Sequence, residues 1–108
     1  MRVNFTARHY KPSERLKEYA IKEVKRLEKY YDGIIDCEIV LDYQKLQQIA
    51  EIIIQVHGAK LTVVEKSEDI YKSIDLAVEK LERKLIKYKQ KLHQVTNNKS
   101  DREIKATL

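Results

Sequence analysis

The sequence predicts an α+β domain in which two helices pack on one face of a four-stranded, mostly antiparallel sheet, in the order β-α-β-β-β-α. Three observations carry that prediction. Four segments alternate apolar and polar residues with a period of two, the mark of half-buried strands. Two longer segments repeat apolar residues at spacings of three and four, the mark of helices buried along one stripe. The few strong turn-formers, Pro12, Gly33 and Gly58, fall between these segments.

The first strand sets Val3, Phe5 and Ala7 against Arg2, Asn4, Thr6 and Arg8. Pro12 disfavours helix at Lys11, and Ser13 is placed to cap the helix that follows. There Leu16, Ala20, Val24, Leu27 and Tyr31 form the apolar stripe, and Asp32-Gly33 ends it. The second strand puts Ile35, Cys37, Ile39, Leu41 and Tyr43 on one face and Asp36, Glu38 and Asp42 on the other. After a polar turn from Gln44 to Gln48, the third strand turns Ala50, Ile52, Ile54 and Val56 inward and Glu51, Gln55 and His57 outward. His57-Gly58-Ala59-Lys60 is a short hairpin connection to a fourth strand carrying Leu61 and Val63. Ser67 is the expected N-cap of the second helix, with Glu68 and Asp69 in its first turn, where the helix dipole favours negative charge. Ile70, Ile74, Ala77, Val78, Leu81, Leu85, Tyr88 and Leu92 then keep helical spacing. Residues 94–108 are polar and aperiodic and read as a flexible tail, leaving 1–93 as the folded domain. Whether the first two strands, joined through a helix, pair in parallel or sit apart is open at this level.

A chain of 108 residues suits one domain that can bury a core without disulfides or metal. The single cysteine, Cys37, falls at an inward strand position, where a buried, inert thiol is expected. His9, His57 and His93 lie in three elements without metal-ligand spacing, and two glycines cannot build a phosphate-cradling loop. The chain carries no nucleophile-elbow pattern. No enzyme activity, cofactor or small-molecule substrate is therefore expected. The N-terminus has no apolar stretch of leader length and apolar runs such as Ile52-Ile53-Ile54 cannot span a bilayer, so a cytoplasmic protein with no membrane partner is expected.

Charge is the informative property. The net charge is +5 with 36% charged residues, a balance that favours an anionic partner. From Lys80 to His93 the cations are Lys80, Arg83, Lys84, Lys87, Lys89 and Lys91, against Glu82 alone. At roughly 100° per residue, Lys80, Lys84, Lys87 and Lys91 fall on one stripe, with Arg83 beside it and Asp75, Glu79 and Glu82 on the opposite flank. Lys22, Lys25, Arg26 and Lys29 gather on the first helix, diluted by Glu18, Glu23 and Glu28, and read equally well as an ordinary solvated face. Arg8-His9-Tyr10-Lys11 sets basic residues beside an aromatic ring, the ingredients for gripping a phosphate and stacking on a base, though Tyr10 fits the core edge as well. With Asp36, Glu38, Asp42 and Glu51 on the sheet's outward face, the molecule reads as positive over its helices and negative over its sheet.

Four stretches resemble the ribosome hibernation promoting factors, also called ribosome-associated inhibitor proteins. VNFTARH (3–9) is similar to their opening strand, LKEYAIKEVKRLEKYYD (16–32) to their first helix, IAEIIIQVHGAKL (49–61) to their third strand and its turn, and SEDIYKSIDLAVEKLERKLIKYK (67–89) to their second helix. Ala7 departs from the glycine the family often has before Arg-His. The resemblance implies docking of the domain in the neck of the small ribosomal subunit, on 16S rRNA, in the channel used by messenger and transfer RNA. It implies RNA-facing roles for Arg8, His9, Lys22, Lys25, Arg26, Lys29, Lys80, Arg83, Lys84, Lys87 and Lys91; Lys11 joins them from the charge pattern. The short tail matches the short type of the family, for which self-association is not required. Two other readings stand beside it: a generic double-stranded-RNA binder, and a protein-interaction module working through the acidic sheet face.

Overall fold

Each alternating segment becomes a strand: β1 (Arg2–Ala7), β2 (Asp36–Gln44), β3 (Gln47–Val56) and β4 (Ala59–Ser67). The helices are α1 (Glu14–Lys25), continued by a 3₁₀ turn (Arg26–Lys29), and α2 (Ile70–Thr107). The computed structural model describes the backbone of residues 1–107 and the side chains of residues 1–92. The tail expected over 94–108 lies outside the described side chains, and as far as Thr107 its backbone continues α2.

The sheet order is β1-β2-β3-β4. β1 runs parallel to β2, with Val3 opposite Cys37 and Phe5 opposite Ile39, which settles the open pairing. A parallel neighbour needs a long crossover, and α1 supplies it. β2–β3 and β3–β4 are antiparallel, with Ile39 opposite Ile52 and Ile52 opposite Val63. Cys37, Ile39, Leu41, Ala50, Ile52, Ile54 and Val56 thus share the face that both helices cover. Leu16, Ala20, Val24 and Leu27 descend on it from the first helical segment, and Ile74, Ala77, Val78, Leu81 and Leu85 from α2. Tyr19 stacks edge-on against Tyr71, and Tyr31 against Tyr88. Early residues meet early and late meet late, so the helices lie side by side and run in the same direction.

Local chemistry sets the boundaries. Ser13 caps α1, its Oγ accepting from the Leu16 amide at 3.1 Å. The Tyr30 and Tyr31 amides both reach the Leu27 carbonyl, so the first helix tightens into a 3₁₀ turn before Tyr31 instead of running regularly through it. A side chain at Gly33 would meet the Tyr31 ring at about 2.5 Å, so glycine lets the ring sit close against the chain here. The expected α2 cap shifts by two residues: Asp69 accepts from the Tyr71 amide at 2.9 Å. Ser67 is instead engaged with the buried Ser73 hydroxyl at 2.6 Å, and Ser73 in turn donates to the Gln48 carbonyl at 2.8 Å. That chain of hydroxyls pins the start of α2 to β3.

Two inward-facing expectations and one about the outward face are corrected. Ile34, not Ile35, is buried; Ile35 precedes the strand and is 53% exposed. Tyr43, at the end of β2, is exposed. On the outward face Val40 and Asp42 are buried while Ile49 and Ile53 are half-buried, so that face is less uniformly acidic than the alternation implied.

Candidate nucleic-acid interface

The basic residues occupy three places. Arg8, His9 and Lys11 lie on the β1–α1 connector, at the end of the sheet where both helices begin. The Arg8 amide extends the β1 ladder to the Leu41 carbonyl at 2.8 Å, and His9 then turns the chain with φ 70°. Its Nδ1 lies 2.6 Å from Asp42 Oδ1. Asp42 also accepts from the Tyr43 amide at 2.7 Å and from Gln44 Nε2 at 3.0 Å. These bonds, His9 foremost, hold the Asp42 carboxyl below the usual carboxylate range, against the opposing effect of burial. The expectation of Asp42 as an open surface acid is thereby corrected: it is a nearly buried clamp on a basic connector. Tyr10 packs against the core edge, the second of its two expected places.

On the first helical segment, Lys22, Lys25 and Lys29 are exposed, at angles opposite the buried Ala20 and Val24. Arg26 departs from them: it leans toward α2 and pairs with Glu23 at 3.1 Å. On α2 the basic stripe faces away from α1, over the β4 edge. Lys80 Nζ reaches Glu65 Oε1 at 2.6 Å, and Lys84 Nζ donates to the Thr62 carbonyl at 2.8 Å. Arg83, Lys87 and Lys91 follow, exposed and with no ion pair among the described residues.

Between the helices lies a groove of opposite sign, lined by Glu23, Asp75, Glu79 and Glu82 with Tyr19 and Arg26. The Tyr19 hydroxyl donates to Asp75 Oδ1 at 2.5 Å; that bond first, then burial and the Asp75 charge, pushes the phenol up to about 12. The helical cations are therefore two ridges separated by an acidic trough, where the linear sequence implied one merged surface. The α2 ridge and the connector also lie toward opposite ends of the sheet, because α2 runs away from the end where β1 finishes.

Little else offers chemistry. Cys37 is fully buried, and burial, then Glu38, pushes its thiol up to about 12, far from a usable nucleophile. Among the described residues no three His, Cys, Asp or Glu side chains converge as metal ligands, and no helix is long and apolar enough to cross a membrane.

The arrangement of sheet and helix pair recurs in known proteins. The model of the Sigma 54 modulation protein / S30EA ribosomal protein family matches residues 3–93. The chain belongs to this family. Within it, a ribosome hibernation promoting factor of Azotobacter vinelandii is 34% identical over 91 residues, covering 84% of this chain and 85% of that protein. The Escherichia coli protein of the same name is 31% identical over 94 residues, covering 87% and 99%. A ribosomal subunit interface protein from Coxiella burnetii superposes with a TM-score of 0.79 at 30% identity, covering 83% of this chain and 99% of that one. The N-terminal domain of Thermus thermophilus Protein Y superposes with a TM-score of 0.76 at 28% identity, covering 82% and 99%. The family match includes all of the basic positions named above and stops at the point where side-chain description ends.

Proposed function

We propose that this protein is a ribosome hibernation factor: it binds the small ribosomal subunit on 16S rRNA, in the messenger and transfer RNA channel, and inhibits translation by occupying that space. The observation that carries the reading is the outer ridge of α2. Arg83, Lys87 and Lys91 stand exposed on a rigid helix with no ion pair among the described residues, which leaves them available to an external anion. The names of the relatives, ribosome hibernation promoting factors and a ribosomal subunit interface protein, support reading that anion as ribosomal RNA. Lysines and arginines would displace counterions from rRNA phosphates, while the packed domain fills the channel. Lys80 and Lys84, already tied to β4, would contribute field more than direct contacts.

Arg8, His9, Lys11, Lys22, Lys25 and Lys29 are assigned to the same contact, with Arg26 in a supporting role because Glu23 already engages it. No partner copy, cofactor or small molecule enters this mechanism, and its place of action is the cytoplasm. A contact using about six phosphates should lose roughly three orders of magnitude in affinity over a fourfold rise in salt. Co-sedimentation with purified small subunits at two salt concentrations measures this, and a flat response refutes counterion release. A bare RNA duplex that competes as well as the small subunit would make the protein a general double-stranded-RNA binder instead.

A further inference from the structure

We propose that the end of the sheet formed by the β1–α1 connector and the β2–β3 hairpin is a further rRNA-contact surface, with Lys45 and Leu46 at the hairpin tip touching the RNA. The proposal rests on the reading of function above and adds a contact that neither helix supplies.

Backbone conformation singles out this place. Among the described residues, the non-glycine positions with left-handed φ are His9 at 70°, Lys45 at 50° and Leu46 at 65°, and all three lie at this end. Gln44 pairs with Gln47, so Lys45 and Leu46 are the two central residues of a tight hairpin turn. Positive φ at both is the geometry that Asn-Gly adopts with little strain. Lysine and leucine adopt it at a cost in stability, and residues held in such conformations cluster at functional sites.

The leucine gives nothing back to the core, since it is 80% exposed at the tip of the hairpin. Lys45 beside it is exposed as well. Asp42 welds this hairpin to the connector: its Oδ1 meets His9 Nδ1 and the Tyr43 amide, and its Oδ2 meets Gln44. Asp42 is the lone acid in residues 8–13 and 42–48, and it is buried with both oxygens occupied. The charge these two segments present outward is consequently Arg8, Lys11 and Lys45, all positive.

The exposed cations of these two segments, beside the amides of Gln44 and Gln47, suit phosphate and sugar contacts, with Glu14, Glu68 and Asp69 of the helix starts bounding the patch at the same end. An exposed leucine on a rigid turn suits the face of an unpaired or unstacked base, the use made of apolar wedges elsewhere in nucleic-acid recognition. The partner fitted by this chemistry is structured RNA with an accessible base.

The test replaces Lys45-Leu46 by Asn-Gly. Relief of the turn should raise Tm by about 5 °C, the shift that relief of strain on the order of 1 kcal/mol produces in a domain this size. Affinity for purified small subunits should fall about tenfold, as expected for losing one phosphate contact and one apolar contact. Binding at wild-type strength overturns the proposal. A photo-reactive amino acid at position 46 gives the second readout. Adducts with 16S rRNA support the contact, and adducts confined to ribosomal protein overturn it. The α2 reversal described below separates the two readings. If that variant loses binding while the Asn-Gly variant keeps it, the tip proposal alone fails; if the unmodified chain does not bind small subunits, the functional reading fails and takes the tip with it.

Discussion

The two flanks of α2 carry charges of opposite sign and meet different parts of the molecule. On the flank facing α1, Asp75 is bonded to Tyr19, and Glu79 and Glu82 share a groove with Glu23 and Arg26. There the Tyr19–Asp75 bond ties the two parallel helices together, while Glu79 and Glu82 line the groove with no ion pair among the described residues. On the flank facing β4, Lys80 and Lys84 hold the sheet edge through Glu65 and Thr62, but Arg83, Lys87 and Lys91 form no ion pair among the described residues. A satisfied charge stabilises the fold; an unsatisfied one on a rigid helix is held ready for a partner. The spacing of the charges along α2 separates the two flanks by sign, and the structure adds which of them meets α1 and which meets β4.

The sharpest way to break this comparison is to reverse the unsatisfied flank. Arg83→Glu, Lys87→Glu and Lys91→Glu together should weaken binding to small subunits by about a hundredfold or more, because three phosphate contacts become repulsions. The fold should survive: solvent-exposed substitutions that break no internal pair usually change stability by about 0.5 kcal/mol or less each. Including Lys84 would blur the outcome, as its ammonium also serves the Thr62 carbonyl. Co-sedimentation and circular dichroism read the two effects. Retained binding with an unchanged spectrum would show that the ridge carries no contact.

A smaller effect is expected on the flank that meets α1. Tyr19→Phe removes the hydroxyl that Asp75 accepts, and at this partly exposed position should cost about 0.5–1 kcal/mol of stability at pH 7 with no change in small-subunit affinity. Its pH dependence has a defined sign. The Tyr19 phenol is raised to about 12 from its usual 10, so its contribution is whole below pH 10 and is lost as pH climbs toward 12. Tyr19→Phe should flatten that part of the alkaline loss in thermal melts between pH 9 and 12. The buried Cys37 thiol, raised to about 12 from 9, keeps part of the slope in both proteins. A Tyr19→Phe protein that melts normally but fails to bind would dissolve the division between the flanks.

Much of the fold was legible because it is written in local periods. The alternation of β1 and β3, the stripe of α2 and the Ser13 cap each depend on residues within a few positions of one another. What was not legible depends on distant partners or on degenerate signals. Ser67 and Asp69 are equally good caps by type, and the buried Ser73 decides between them by engaging Ser67. Ile34 and Ile35 are adjacent and alike, so alternation alone cannot say which points inward. β3 carries isoleucine on both faces, and the outward Ile49 and Ile53 hide in its apolar run. The Lys45-Leu46 turn carries no Asn-Gly signal, so its tightness and exposure were invisible. In the candidate site, each basic cluster was readable as a helical stripe. That the stripes stay apart was not, because it depends on which flank of α2 meets α1 and which meets β4. Asp42 reads as a surface acid in the sequence because its partner His9 lies 33 positions earlier in the chain.

The smallest predicted effect tests the comparison most closely. Glu79→Gln and Glu82→Gln together remove two negative charges from the acidic trough without changing side-chain length. If the trough faces away from the bound RNA, these carboxylates repel it only through space, around the width of α2 and across water. At physiological ionic strength, screening acts over about 8 Å, close to the width of the helix itself. Affinity for small subunits should therefore rise by only about twofold in low salt, and the gain should vanish as salt increases. A trough pressed directly against phosphates would behave otherwise: neutralising two carboxylates at contact distance would raise affinity by more than tenfold. A loss of affinity would mean that the trough grips a cationic partner, a reading that puts the acids and not the lysines at the working surface. Titration at two salt concentrations separates the three outcomes, since only action at a distance is both weak and erased by salt.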